Sequence, residues 1–343
     1  MKAALLAEQH LSQASSVMST DFISQFRGYD FKPATDDDLT FFEIALHVRG
    51  WSKFPARTQG SVTIKDGRIL SVGFNAIPAH LQDADPKWNN HPFKRDTVCC
   101  AERIDCGNGD HVYGNKNENW HQGATKIITW MPCDNSSSCA DLLIERKTKD
   151  VVVLVRPKDL WPDDPDLLYW ANTMHRSIEK LFEAGIEIRV IDAFDPALNR
   201  RMGVDLTTLM DRKPKRPLIA SGTTDWPQRF FDFGHFIRGL GGSGEIIVAP
   251  PQEAGDTRHK IIRAIGFDLH QPGASAIEIA EKNGVSIDGC LLFAHEMPDV
   301  PLRVLRCHGI EVVFPEPSLF PASYYEPSSF AYPPGQFPRH LAF

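Results

Sequence analysis

The 343-residue chain is short of three things, and each shortage excludes a class of protein. No apolar run approaches the roughly 20 residues that a membrane-spanning helix needs, so an integral helical membrane protein is excluded. No cluster of five or more basic residues occurs, and the formal net charge is -7. Polynucleotides are held by neutralising their phosphates with Lys and Arg, so this balance argues against DNA or RNA as partner. A small anionic ligand needs only one or two local cations and is still allowed. Cysteine is scarce and odd in number, at 99, 100, 106, 133, 139, 290 and 307. The opening "MKAALLAEQH" carries one lysine and a very short apolar patch before Glu8, a poor secretory signal. A disulfide framework is therefore not expected, and the protein is expected to be cytoplasmic.

What is present is ordinary globular material, 42% hydrophobic and 24% charged. The length suggests two domains, each large enough for its own core. Residues 1–34 lack periodicity and read as a loosely held arm. "TDDDLTFFEIALHVRGWS" reads as a helix capped by Thr35 or Asp36, with Leu39, Phe42 and Leu46 as its inward stripe. In "GSVTIKDGRILSVGFN" two β-rich runs flank Asp66-Gly67, the residue pair that suits a type I′ hairpin turn. A Pro/Asn/Asp-rich loop follows, then a thiol-rich helix expected to stop at Gly107. From "KIITWM" to "IEIRVI" strands and helices alternate, which indicates an α/β domain over 35–195 with a mixed sheet covered by helices on both faces. Residues 196–226 read as a basic, Pro-containing linker. Residues 227–316 read as a second, smaller α/β domain, in which Met297-Pro298 echoes Met131-Pro132 and suggests an internal duplication. The segment 317–343 is a Pro- and aromatic-rich tail.

Five of the seven cysteines fall between 99 and 139, which points to a local task. Catalytic zinc takes three protein ligands and leaves a fourth position for water. Cys100 on one helix, with Cys133 and Cys139 around the start of another, could supply the three. Glu102, two residues beyond Cys100, would stand near the metal without binding it, where a carboxylate can move a proton from water to a ring nitrogen and a leaving amine. The alternative is that these thiols are small buried hydrophobes. Cys99 and Cys106 read that way, as do Cys307 and His308 as structural residues. His80, His91, His111 and His121 read as surface or capping histidines.

"CCAER" with "MPCDNSSSC" matches the signature of zinc nucleobase deaminases, His or Cys, x, Glu, then Pro-Cys-x-x-Cys. Over about residues 35–192 the chain resembles the cytidine and deoxycytidylate deaminase superfamily. "RTQGSVTIKDGRILSVGFNAIP" looks like the hairpin of dCMP deaminases, "SIEKLFEAGIEIRVI" like their closing helix and strand, and "CAER" like the three-cysteine nucleoside deaminases. The resemblance implies a three-layer α/β/α cytidine-deaminase-like sandwich, a Zn2+ cofactor, a small-molecule nucleotide or nucleoside substrate and a homo-oligomer. It implies that Arg103 compensates the charge of three thiolates, that Asn75 bonds the sugar and that the Ala101 carbonyl faces the base amine; Arg57 is the candidate for an anionic group, open between substrate contact and a surface ion pair. Trp130 is open between a core role and stacking on a base. One departure stands out: five residues, "DNSSS", separate Cys133 from Cys139, where the family has two. The extra residues must bulge outward or shift the helix start to Ser137 or Ser138.

In the second half the positions matching the thiols are Asp299 and Pro301, and Glu278 has no ligand residue two positions earlier, so a degenerate deaminase-like domain without zinc is expected, with an unrelated α/β domain as the alternative. The reaction expected is hydrolytic deamination of a free cytosine nucleotide or nucleoside, dCMP to dUMP plus ammonia first among them. Two alternatives stand beside it: a catalytically decayed nucleotide-binding regulator or accessory subunit, and a tRNA-editing deaminase, which would need a basic groove.

Overall fold

The computed structural model describes residues 22–52, 54, 57–76, 99–114, 119–134, 138–209, 211, 226–249, 261–296, 298 and 302–315. Two sheets organise it. The first has six strands in the order β1 (Lys32–Pro33), β6 (Glu187–Ile191), β5 (Asp150–Leu154), β4 (Thr125–Ile128), β2 (Gly60–Lys65), β3 (Arg68–Phe74). β2 is antiparallel to both β3 and β4, and the β4–β5–β6–β1 pairs are parallel, so the sheet is mixed as the alternation implies. The β2–β3 turn has positive φ at both Asp66 (51°) and Gly67 (73°), the backbone that an Asp-Gly pair adopts in a tight hairpin.

Helix α1 (Asp36–Arg49) starts at Thr35, whose hydroxyl accepts from the Asp38 amide while Asp38 accepts from the Thr35 amide. Its buried face is Phe41, Phe42, Ile44, Ala45 and Val48, and Leu39 and Leu46 lie at the margins instead of forming the whole stripe. The cause is that α1 is covered from two sides, by the sheet and by a later helix, so the apolar face is broader than one row. Helix α2 (Ala101–Tyr113) runs past Gly107. A glycine in mid-helix costs only about 1 kcal/mol relative to Ala, and Val112 and Tyr113 in the extra turn are buried in a core cluster. Gly109 is needed there: a Cβ would stand 2.1 Å from the Trp120 ring. Helices α3 (Cys139–Glu145), α4 (Pro157–Leu160) and α5 (Leu168–Glu183) complete the layers.

The described parts of two segments expected to be loose are built in; residues 1–21, 210 and 212–225 lie outside the described residues. Phe22, Phe26 and Phe31 are buried in the main core and β1 extends the sheet, because the aromatic rings outweigh the weak local periodicity. The segment expected as linker contains α6 (Pro196–Met202), started by the Asp195 side chain on the Ala197 amide and anchored by Leu198, Leu206 and Leu209.

Beyond it lies α7 (Trp226–Gly239) and a second sheet in the order β10 (Glu311–Val313), β9 (Leu291–Phe293), β7 (Ile246–Val248), β8 (Ile262–Ile265), with α8 (Ala276–Lys282) and α9 (Leu302–Cys307) in the connections. β7 is antiparallel to β8 and β9, and β9 is parallel to β10. This repeats the order and directions of β5-β4-β2-β3. The two sheets meet at their hairpin edges through the antiparallel bridge Arg68↔Asp268 and a Leu269 amide to Gly67 carbonyl bond of 2.9 Å. On one face α1 meets α7, with His47 stacked on Phe236 at 4.6 Å and Trp51 edge-on to Phe233 at 5.1 Å. On the other, Val112, Tyr113 and Trp120 share a cluster with Ala276, Ile277 and Ala280. No helix of the described residues is long and apolar enough to cross a membrane.

Candidate metal centre

The site begins where α2 meets the hairpin. Ala76 and Cys99 exchange both backbone hydrogen bonds at 3.1 Å, which places Cys100 as the residue just before α2. Cys100 is extended and its thiol makes no capping bond, so it is available to a ligand at the positive end of the helix dipole. The helix itself lies directly on β3: a Cβ at Gly73 would stand 2.4 Å from the Asp105 amide nitrogen.

A buried polar network fixes that helix. Asp105 Oδ2 accepts from Ser61 Oγ (2.7 Å), Thr63 Oγ1 (3.0 Å) and Lys126 Nζ (2.8 Å), and Ser71 Oγ donates to the Asp105 carbonyl (2.5 Å). Burial opposes the ammonium form of Lys126, but Asp105 and Cys106 outweigh it and its pKa is raised. A buried pair with this many hydrogen bonds specifies one position for α2 on the sheet. The sequence reading missed it. Its one signal is Ser61, Thr63 and Ser71, polar residues in otherwise apolar strands.

Cys139 opens α3. Ser138 is the N-cap, accepting from the Asp141 amide at 3.0 Å, so the helix start falls at the position that the widened spacing requires. The Cys139 amide donates to the Cys133 carbonyl at 3.1 Å, which closes the main chain around the insertion; residues 135–137 lie outside the described residues. The Cys100 thiol, one Glu102 carboxylate oxygen and the Cys139 thiol all lie within 4.8 Å of one another. Cys133 stands outside that group, its Sγ 3.8 Å from the Met131 carbonyl oxygen.

Burial and mutual repulsion disfavour the charged forms of Glu102, Cys133 and Cys139. Glu102 is 2% exposed, and burial raises its pKa. Burial, then the neighbouring Cys100 and Glu102 charges, push the Cys133 thiol up to about 12. The Cys139 thiol is held far above its usual range, first by its hydrogen bond with Cys100 and then by burial. A divalent cation reverses each of these effects, because it favours the anionic form of every donor around it. Glu102 Oε2 is buried with no hydrogen-bond partner among the described residues. Soft thiols, a buried carboxylate with one oxygen unpartnered among the described residues, and a helix N-terminus together fit zinc.

The other expected site residues divide by position. Ala101 is fully buried, and Arg103 is exposed on α2, close enough to Cys99 to act on its thiol. Asn75 is buried, with Oδ1 accepting from the Gln59 amide (2.6 Å) and Nδ2 donating to the Arg57 carbonyl (2.7 Å). Its amide therefore clamps the strand that leads into β2. The Arg57 guanidinium lies over the Trp130 ring at 4.7 Å, and Trp130 is buried with its Nε1–H unpartnered among the described residues. Cys106 is buried beside Lys126 Nζ at 3.5 Å, and Cys99 is half-buried. His121 is buried against Arg146, and burial followed by that cation lowers its pKa to about 4. His111 is exposed; His80 and His91 lie outside the described residues.

Residues 35–155 match the family model described as the cytidine and deoxycytidylate deaminase zinc-binding region. A curated protein of Aliivibrio fischeri, described as an uncharacterized deaminase in the luxG 3′ region, is 26% identical over 148 residues, covering 43% of this chain and 88% of its own. Among solved structures, the Thermotoga maritima diaminohydroxyphosphoribosylaminopyrimidine deaminase/5-amino-6-(5-phosphoribosylamino)uracil reductase is 24% identical over 50% of this chain, with a TM-score of 0.32. This chain spans only 41% of that protein's length. The dCMP deaminase of cyanophage S-TIM5 is 17% identical over 46% of this chain and 98% of its own, with a TM-score of 0.31.

Proposed function

Residues 35–155 belong to the cytidine and deoxycytidylate deaminase superfamily, and we propose that they catalyse zinc-dependent hydrolytic deamination of a free cytosine nucleotide or nucleoside, with dCMP to dUMP plus ammonia as the reaction. The observation that carries this reading is the buried Glu102, its Oε2 unpartnered among the described residues, grouped within 4.8 Å with two thiols that begin two helices. Cys100, Cys133 and Cys139 would hold the zinc. When bound, zinc supplies the Lewis acidity that makes water a nucleophile at neutral pH.

The chain's own residues then have defined tasks. Glu102 takes a proton from the attacking water as its oxygen bonds to C4 of the ring, and returns that proton to N3. Glu102 then carries the remaining proton of the oxygen now on C4 to the exocyclic amine, the C4–N bond breaks as the C4 carbonyl forms, and ammonia leaves. The buried surroundings exclude bulk water, which strengthens every charge interaction in the site. Arg103 and the α2 N-terminus offset the thiolate charge, and Asn75 with Arg57 shapes the entrance.

In the second unit Ser275 precedes α8 where Cys100 precedes α2, and Ile277 stands where Glu102 does. These residues support a degenerate repeat that holds no zinc. Asp299 and Pro301, the positions matching the thiols, lie outside the described residues. The position of Cys133 outside the thiol–carboxylate group favours one other reading, a nucleotide-binding regulator with a decayed site.

Ammonia release over cytosine, cytidine, deoxycytidine, dCMP, dCTP and guanine, with zinc measured on the same sample, separates the two. Glu102→Ala is expected to retain zinc and to lose about 10²–10⁴-fold in turnover. Undiminished turnover in that variant sinks the mechanism, and no release from any compound by the native chain favours the regulator.

A further inference from the structure

Helix α7 of the second unit begins against the end of β3 in the first. Trp226 stands 6.1 Å from Trp51 and 6.3 Å from Phe74, ring to ring, and Phe74 is the last residue of β3, just before Asn75. One turn on, Arg229 Nη1 donates to the Trp51 carbonyl at 2.9 Å, and its guanidinium lies 5.3 Å from the Trp226 ring centre. The next residue, Ser52, donates through Oγ to the Asn75 carbonyl at 2.6 Å. Asn75 in turn leads into the Ala76–Cys99 bridge that sets Cys100. An unbroken run of contacts therefore joins Arg229 to the metal centre. The same Asn75 donates through Nδ2 to the Arg57 carbonyl at 2.7 Å.

Arg229 is half-buried and pairs with no carboxylate among the described residues. Its hydrogen bonding there is one backbone carbonyl, and its ring stacking leaves most of the five guanidinium donors unused. A cation removed from water in this way, with donors in a planar fork, is matched by phosphate more closely than by any neutral group. Arg229 was not among the residues that the sequence singles out, because it lies more than 150 positions from Asn75 and is delivered only by the docking of α7.

We propose that Arg229 completes the entrance from the second unit and, with Arg57, receives the phosphate of a nucleotide substrate, so that the second unit sets the preference for nucleotide over nucleoside. This rests on the deaminase reading given above. It assigns the second unit a role in substrate selection.

The test uses the full chain. Product-type ligands need no turnover, so dUMP and deoxyuridine are titrated against native protein and Arg229→Gln by calorimetry, with inorganic phosphate as competitor. Native protein is expected to bind dUMP at least tenfold more tightly than deoxyuridine, phosphate is expected to weaken dUMP alone, and Arg229→Gln is expected to remove about tenfold of the difference. Equal binding of dUMP and deoxyuridine by native protein overturns the proposal, and so does full discrimination in a folded Arg229→Gln. Should that variant fail to fold, Arg229→Lys and phosphate competition on native protein decide the matter. The ratio of kcat/KM for dCMP over deoxycytidine is expected to fall at least tenfold in the same variant. If no compound is deaminated while dUMP still binds through Arg229, the deaminase reading falls and the phosphate subsite stands.

Discussion

In the N-terminal unit the residue before the helix that follows the hairpin is Cys100, and its thiol makes no bond to the helix it precedes. In the C-terminal unit the residue in that place is Ser275, and everything around it serves the helix. Ser275 Oγ accepts from the Glu278 amide, Glu278 returns a bond to the Ser275 amide, and the buried Glu245 carboxylate accepts from the Ala276 amide at 2.7 Å. Two units with one strand order thus treat the same helix end in opposite ways. Where the end is capped by side chains, those side chains are occupied by the helix; where it has no side-chain cap, a thiol and a buried carboxylate stand together at it. Fold and helix-end chemistry are therefore separable.

The uncapped helix needs another anchor, and the Asp105–Lys126 pair supplies it. Lys126→Met leaves the Asp105 carboxylate buried without its cation and should lower stability by about 3–5 kcal/mol in chemical denaturation. The exposed Arg238–Glu296 pair of the second unit is the control, since Arg238→Ala should cost less than about 1 kcal/mol. Losses of equal size would show that α2 is not held by its buried pair.

The seam between the units should respond to acid. His47, packed between Trp51, Phe233 and Phe236, has its pKa lowered to about 4, chiefly by burial, with Asp232 acting weakly the other way. Between that value and the unfolded value near 6.5 the unfolded chain binds more protons, so stability is complete above about pH 6.5 and falls as the pH drops toward 4. At pH 4.5 the loss from this one group should be about 2–3 kcal/mol. Denaturation of His47→Phe across the same range should lack that share; parallel curves for the two proteins would place the acid sensitivity elsewhere.

A smaller effect sharpens the comparison of caps. Ser275→Ala should destabilise the chain by about 1 kcal/mol, read in denaturant midpoint, and should leave zinc content untouched. A change in zinc would mean that the second unit is not the inert copy.

Much of the N-terminal unit is legible in the sequence because its signals are local. Asp66-Gly67 names its turn, Thr35 its cap, and Cys100 with Glu102 the thiol–carboxylate pair at the α2 terminus. Signals that depend on tertiary packing are not. Gly107 looks like a helix stop, yet the next turn is buried and Gly109 admits Trp120. Phe22 and Phe26 read as part of an arm until the sheet is there to receive them. Lys126 and Asp105 lie 21 residues apart on a strand and a helix, and nothing near either one announces the other. Arg229 is further still from the residues it joins. The "DNSSS" insertion was half legible: Ser138 caps as the spacing requires, but where Cys133 would point was not written in it.

The contrast between the units is tested most directly by counting zinc. Metal analysis of the purified full chain should give one zinc per chain, and Cys139→Ala should lose it while keeping the native fold by circular dichroism. Two zincs per native chain would contradict the inert second unit, and zinc retained at full stoichiometry in Cys139→Ala would contradict the site assigned to the first.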